Sequence, residues 1–264
     1  MSLTRWLKGA FAAALLLAGC AVMQPDSQPP RQALAPTGKL RVAFTPVQIL
    51  ATKHAATGTF KGVAIDLGRE LARRIGVPFE PTMYPTIPAM LDAAKSGEWD
   101  VAFSAVTPER AAAMDLTAPF MEVEIGYLVR AGFPAASLAD VDRTGVHIGV
   151  LEKAPPDVFL SANIKSAALV RVRTPDELYS MLAAGKADAI ATGKTGLYSA
   201  AEKAPGSRVL DGRLFVDPLA LGLPKGRDAA AKAYLDRFAE DAKRSGLVKS
   251  AIDRAGLRGV VVAP

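Results

Sequence analysis

The chain has 264 residues, of which half are apolar, 6% aromatic and 22% charged, with a net charge of +6. That balance excludes a disordered or fibrous chain and describes a globular protein of alternating helices and strands. Lys and Arg are scattered without a basic run or interleaved aromatics, which excludes nucleic acid as an expected partner. One cysteine and two histidines exclude an intrachain disulfide, and no metal site or cofactor is expected of them.

At the start, Arg5 and Lys8 precede an apolar run from about Ala10 that ends in Leu17-Ala18-Gly19-Cys20. The run falls short of the roughly 20 residues needed to span a bilayer, so 1–19 reads as an export signal. A cysteine directly after Leu-Ala-Gly resembles the bacterial lipobox. That implies lipid attachment at Cys20, a new N-terminus there, and a periplasmic protein anchored to the membrane by lipid and not embedded in it. Residues 20–37 are rich in Pro, Gln, Ser and Ala without a hydrophobic period, and read as a flexible tether.

Lys39 to Phe44 alternates polar and apolar as a strand does, and Thr45-Pro46 ends it. After a loop to Gly62, which reads as a lid, Ala64, Leu67, Leu71, Ala72 and Ile75 recur at helical spacing. Gly76 follows as a C-terminal cap, with Pro78 just beyond. Val77 to Met83 predicts a strand, Ile87 to Lys95 a helix closed by Ser96-Gly97, and Asp100 to Val106 a third strand. The βαβαβ order argues for a mostly parallel sheet covered by helices.

A second unit of the same kind begins near Arg130. Val146 to Leu151 predicts a strand, Pro156 to Ser161 a short helix, and Ala168 to Val172 another strand. Thr174-Pro175-Asp176-Glu177 opens a helix with a capping box that ends at Gly185, and Ala187 to Thr192 forms the next strand. The chain returns through Phe215 to Leu223 into two helices, one from Asp228 to a cap near Gly246, the other ending near Gly256.

Several of these segments together resemble the periplasmic solute-binding proteins of the polar amino acid type, family 3. Gly62-Val63-Ala64-Ile65-Asp66-Leu67 is similar to that family's Gly-x-x-x-Asp-Leu helix. Gly97-Glu98-Trp99-Asp100, Thr107-Pro108-Glu109-Arg110 and Asp115 to Phe120 follow in the family's order, and Gly185-Lys186-Ala187-Asp188-Ala189 resembles its second-lobe Gly-x-x-Asp-Ala. The resemblance spans Gly38 to Gly256. It implies an α/β, two-lobed periplasmic binding protein fold of type II, with two βα lobes joined by two hinge strands near Glu124 to Arg130 and near Asp217 to Leu221. Lobe 1 would comprise 38–126 and 220–264, and lobe 2 would comprise 127–219. The implied activity is capture of a small carboxylate-bearing ligand, an amino acid or related organic acid, by a monomer that hands it to an ABC transporter permease.

Within that frame, Arg110 is the expected carboxylate contact, because a guanidinium meets a carboxylate with two parallel hydrogen bonds. Ser104 and Thr107 are expected to add hydroxyl or backbone donors, and Tyr84 to serve either as a stacking wall or as a half-buried core aromatic. Family members that bind amino acids carry an aspartate for the ligand's ammonium about five positions after the Asp of Gly-x-x-Asp-Ala. Here Gly193 stands there, flanked by Thr192 and Lys194. Either the ligand has no ammonium, or another acid takes its place, and Glu124 is the candidate. Glu152-Lys153-Ala154-Pro155 departs in a second way, standing where members often carry Gly-Ser or Gly-Thr. His54 lies in the lid loop and His147 begins a strand. No catalytic residue is expected. The alternatives are a dehydratase of the cyclohexadienyl type, with Glu124 as acid over Arg110, and a receptor that signals instead of delivering.

Overall fold

The computed structural model describes residues 30–45, 49–53 and 56–264. The export signal and Cys20 lie outside them, as does His54.

The first half of the chain builds one lobe. A single helical turn, α1 (Arg31–Leu34), leads into β1 (Leu40–Phe44). A short hairpin follows, β2 (Thr52–Lys53) with β3 (Phe60–Lys61), and then α2 (Val63–Ile75), β4 (Phe79–Met83), α3 (Ile87–Lys95), β5 (Val101–Ala105), α4 (Pro108–Ala113) and β6 (Met114–Leu116). The helix α2 forms where the apolar spacing demands it, and Gly76 ends it in the left-handed conformation at φ 68°. It begins at Gly62, whose φ is 135° and where a Cβ would lie 2.5 Å from the Leu50 carbonyl oxygen, so only glycine lets the two segments approach.

The long strand β7 (Met121–Val129) then carries the chain into the second lobe. This contains β8 (His147–Leu151), α5 (Pro155–Asn163), β9 (Ala168–Val172), α6 (Pro175–Ala183), β10 (Ala189–Gly193), α7 (Lys194–Lys203) and β11 (Arg208–Val209). The capping box at α6 is formed as the sequence predicts, with the Thr174 hydroxyl accepting from the Glu177 N–H and the Glu177 carboxylate accepting from the Thr174 N–H. A second long strand, β12 (Phe215–Pro224), returns to the first lobe, where α8 (Ala229–Arg244), α9 (Leu247–Arg254) and β13 (Val260–Val262) complete it.

The main sheet runs β4-β1-β5-β12-β7-β10-β8-β9, with β6 on β12 and both β11 and β13 on β7. Pairing is parallel inside each lobe, β4-β1-β5 and β10-β8-β9, and antiparallel where β12 and β7 join them. The inner strands β1, β5, β8 and β10 are buried on both faces, as the covered middle of a parallel sheet requires, while the edge strands β4 and β9 are only partly covered. In β1, Val42 enters the core beneath α2 and α8, while the next residue, Ala43, enters the one formed with Met90 and Trp99. In β10, Ala189 and Ala191 enter one core and Ile190 the other. The strand β7 passes from the first lobe's core at Ile125 to the second lobe's core at Tyr127.

Each Gly-x-x-Asp motif locks the start of its lobe's first strand. Asp100 accepts from the Arg41 N–H at 3.0 Å and from the Arg41 guanidinium at 3.0 and 2.8 Å, and Arg227 adds a contact at 2.9 Å. Asp188 accepts from the His147 N–H at 3.0 Å and from Arg130 Nε at 2.9 Å.

Part of the segment 20–37, expected to be a tether, is packed on the first lobe. Leu34 is fully buried in the first lobe's core, and Arg31 Nε donates to the Ile75 carbonyl at 2.8 Å. Two apolar residues, Leu34 and Ala35, suffice to seat this segment on the core beside α2 and α8 although the surrounding composition is that of a linker. The helices α4 and α7 and the strand β13 also appear where no element was predicted. Each is short or lacks an apolar period of its own, and each is held by its neighbours.

Candidate functional site

A cavity of about 870 Å³ lies between the lobes, with Asp217 and Leu219 of β12 in its wall. From the first lobe, Ser104, Thr107 and Arg110 line it, and Ile49, Leu50 and Ile87 add apolar surface. From the second lobe come Lys153, Pro155, Val158 and Phe159.

The polar first-lobe wall is positioned by β5 and α4. Ser104 is the next-to-last residue of β5 and is 2% exposed, and its hydroxyl is a buried polar atom with no hydrogen-bond partner among the described residues. Such a group is costly unless something satisfies it, and this one stands on the cavity wall. Thr107 is the N-cap of α4, and its hydroxyl accepts from the Arg110 N–H at 3.3 Å. That cap sets the first turn and so presents Arg110 to the cavity.

Arg110 makes no ion pair among the described residues. Burial disfavours its charged form and pulls its pKa down, against the opposing fields of Asp217 and Glu109. A desolvated guanidinium without a partner calls for an anion. Asp217 is the complement: burial pushes its pKa up, Arg110 pulls it back, and its carboxylate likewise makes no hydrogen bond or ion pair among the described residues.

The second-lobe wall is mostly apolar. Val158 is 64% exposed on the cavity side of α5, and Phe159 stacks on Phe215 of β12 with ring centroids 4.7 Å apart. Lys153 precedes α5 with φ 60°, the one non-glycine residue at positive φ among the described residues. Its N–H donates to the buried Asp157 carboxylate at 2.9 Å, and Arg171 holds that carboxylate from the other side at 2.9 Å. A left-handed lysine is strained by about 1–3 kcal/mol, and the Asp157 contact holds it there.

The structure brings together Arg110, Ser104 and Thr107 and leaves the other expected contacts outside. Tyr84 is half-buried against the core that contains Met90 and Trp99 and does not line this cavity, and burial together with the field of Glu98 raises its pKa. Glu124 is engaged by Lys194 and Arg213, each at 3.5 Å. The register explains why: Glu124 pairs with Val216 and Val123 with Asp217, so Glu124 and Asp217 occupy opposite faces of the β7–β12 ribbon. Thr192 pairs with Gly126 inside the sheet. Gly193 caps α7, and a Cβ there would lie 3.1 Å from Val123 Cγ1, which leaves little room for the aspartate that the family pattern places at this point. None of these four lines the cavity. Asp217, Lys153 and the apolar face of α5 were not singled out as contacts. The available signal for Asp217 was an acid inside an otherwise apolar run, Phe215 to Leu223, on a strand expected to be the hinge.

The sequence matches the family described as "Bacterial extracellular solute-binding proteins, family 3" over residues 40–254. The ABC transporter glutamine-binding protein GlnH of Bacillus subtilis (strain 168) is 23% identical over 216 residues, which are 78% of this chain and 77% of GlnH. Among solved structures, AncCDT-1, an ancestral cationic amino acid solute binding protein, superposes with a TM-score of 0.69 at 22% identity, over 85% of this chain and 98% of its own. An amino acid ABC transporter substrate-binding protein from Streptococcus pneumoniae, bound to L-arginine, superposes with a TM-score of 0.67 at 23% identity, over 87% and 98%. These likenesses establish the two-lobed type II periplasmic binding protein fold.

Proposed function

We propose that this chain, which belongs to the bacterial extracellular solute-binding proteins of family 3, captures a small carboxylate-bearing solute between its lobes and delivers it to an ABC importer. The observation that carries the reading is Arg110, a half-buried guanidinium without an ion-pair partner among the described residues, on a cavity wall with the unsatisfied Ser104 hydroxyl. Arg110 receives the carboxylate in a bidentate contact, Ser104 donates to it, and Thr107 holds the turn that aims Arg110. Lys153 brings a second cation from the opposite lobe, standing where family members often carry a hydroxyl. A ligand touched by both lobes favours the closed arrangement and shifts its population. Lobe 1 takes 38–126 and 220–264, lobe 2 takes 127–219, and β7 and β12 are the hinge.

Capture is favoured over catalysis. In the dehydratase alternative as the sequence frames it, Glu124 is the acid over Arg110, and Glu124 is held on the other face of the ribbon by Lys194 and Arg213. The protein works as a monomer in the periplasm, anchored by lipid on Cys20. A receptor that signals would use the same binding chemistry with a different partner.

Thermal unfolding against a panel of amino acids, keto acids and simple carboxylates tests the reading. A ligand at a hundredfold excess over Kd stabilises the folded form by about 2.7 kcal/mol. Arg110→Ala is expected to abolish that shift and keep the unliganded fold, and a variant that binds as the wild type does removes Arg110 from the site. For the anchor, palmitate labelling in a bacterial host is expected to disappear in Cys20→Ser, and persistent labelling refutes attachment at Cys20.

A further inference from the structure

The cavity holds two opposite charges that the protein leaves unpaired. Arg110 enters from α4 and Asp217 from β12, and neither makes an ion pair among the described residues. Both side chains line the same cavity, and no ion pair joins them. The arrangement differs from the two Gly-x-x-Asp clamps, where every carboxylate oxygen is occupied by an arginine or a backbone N–H. A half-buried carboxylate kept apart from a half-buried guanidinium is costly to the empty protein, and a molecule carrying both charges satisfies the two at once.

The remaining walls describe the rest of that molecule. Leu50 and Ile49 face it from the first lobe, and Pro155, Val158 and Phe159 from the second. The exposure of Val158 is the largest among the big apolar side chains of the described residues, and a ligand's apolar body would cover it. Lys153 and Glu109, both exposed and of opposite sign, add no net charge to the cavity.

We infer that Asp217 is the ammonium acceptor of this site, so that the ligand is a zwitterion with an apolar body, its carboxylate on Arg110 and its ammonium on Asp217. This rests on the capture of a carboxylate proposed above and assigns the contact that Gly193 cannot make. It also places the amine on a hinge strand. Asp217 pairs with Val123 of β7, the other strand shared by the lobes, so the acceptor keeps its place whichever way the lobes turn.

The test compares each standard L-amino acid with its deamino counterpart, the same carbon skeleton with hydrogen in place of the amine. L-Leucine is set against 4-methylpentanoate, and L-phenylalanine against 3-phenylpropanoate. Binding is measured by calorimetry on the folded wild type, Asp217→Asn and Glu124→Gln. In the wild type, apolar amino acids are expected to bind roughly 100-fold more tightly than their deamino counterparts, as befits a charge left unpaired in a closed cleft. Asp217→Asn is expected to erase most of that difference, while Glu124→Gln preserves it. The unliganded Asp217→Asn protein is expected to melt higher than the wild type at neutral pH, which also verifies that the variant is folded.

Deamino acids that bind the wild type as tightly as the amino acids overturn the assignment and leave carboxylate capture standing. So does an amino-acid preference that survives in Asp217→Asn. If neither series binds while a keto acid or another carboxylate does, this inference falls and carboxylate capture stands; if no carboxylate binds at all, both fall.

Discussion

Asp100 in the first lobe and Asp188 in the second do the same job with different resources. Each closes a Gly-x-x-Asp turn, and each carboxylate accepts a backbone N–H at the start of its lobe's first strand, from Arg41 or from His147. Asp100 has a side chain wholly removed from solvent and is held by two arginines, whereas Asp188 is 19% exposed and has one. The lobes thus share a way of closing the sheet onto its turn. Their cavity walls do not repeat: the first lobe offers a guanidinium and hydroxyls, the second an apolar helix face and one lysine. A scaffold contact is set by backbone geometry that both lobes share, whereas a ligand contact is set by whatever the ligand presents on that side.

Removing the two clamps is the strongest way to break this comparison. Asp100→Ala leaves Arg41 and Arg227 facing an emptied, water-poor site, and is expected to cost about 3–5 kcal/mol in urea unfolding. Asp188→Ala is expected to cost about 1–3 kcal/mol, because solvent reaches Arg130 and replaces part of the loss. Equal losses would show that burial does not separate the two clamps.

A pH series sharpens the second clamp. Burial alone would raise the Asp188 pKa, but the His147 N–H and the Arg130 guanidinium outweigh it and hold the carboxyl below the usual carboxylate range. A group depressed in the folded state adds stability above its unfolded pKa and loses it as the pH falls through the folded value. The difference in unfolding free energy between wild type and Asp188→Asn is therefore expected to shrink from pH 7 toward pH 3, and a difference that stays constant with pH contradicts an ionic clamp.

The smallest expected effects come from the two threonine caps. Thr174→Ala and Thr107→Ala are each expected to cost about 1 kcal/mol of stability. Only Thr107→Ala is expected to weaken ligand binding as well, and by less than Arg110→Ala, because its hydroxyl already accepts the Arg110 N–H. A loss of affinity in Thr174→Ala would mean that the caps act through global stability and not through the aim of Arg110.

Local rules read most of the scaffold correctly. The apolar spacing of Ala64, Leu67, Leu71 and Ile75, the cap at Gly76 and the box from Thr174 to Glu177 are properties of short stretches, and short stretches carry the periodicity and capping that form them. That Arg110, Ser104 and Thr107 lie close together was legible because all three fall within one strand-to-helix turn, whereas the contacts expected of them came from the resemblance. Tyr84 and Glu124 were not, because a side chain's direction depends on which face of a sheet or helix its neighbours leave open. The sequence alternation from Glu122 to Ile125 says that two faces exist, but only the pairing of Glu124 with Val216 says which one meets Lys194.

By itself, then, the sequence determined the order of the α/β elements, because these rest on hydrophobic period and capping chemistry, while the two-lobed fold and the expected role of Arg110 came from the order of motifs that resembles the family. Tertiary structure alone decided that Leu34 joins the core, that Glu124 is occupied, and that Asp217 stands in the cavity with Arg110. Those outcomes depend on contacts between distant segments, and the free energy of burying or pairing a charge exists only once both segments have reached the same place.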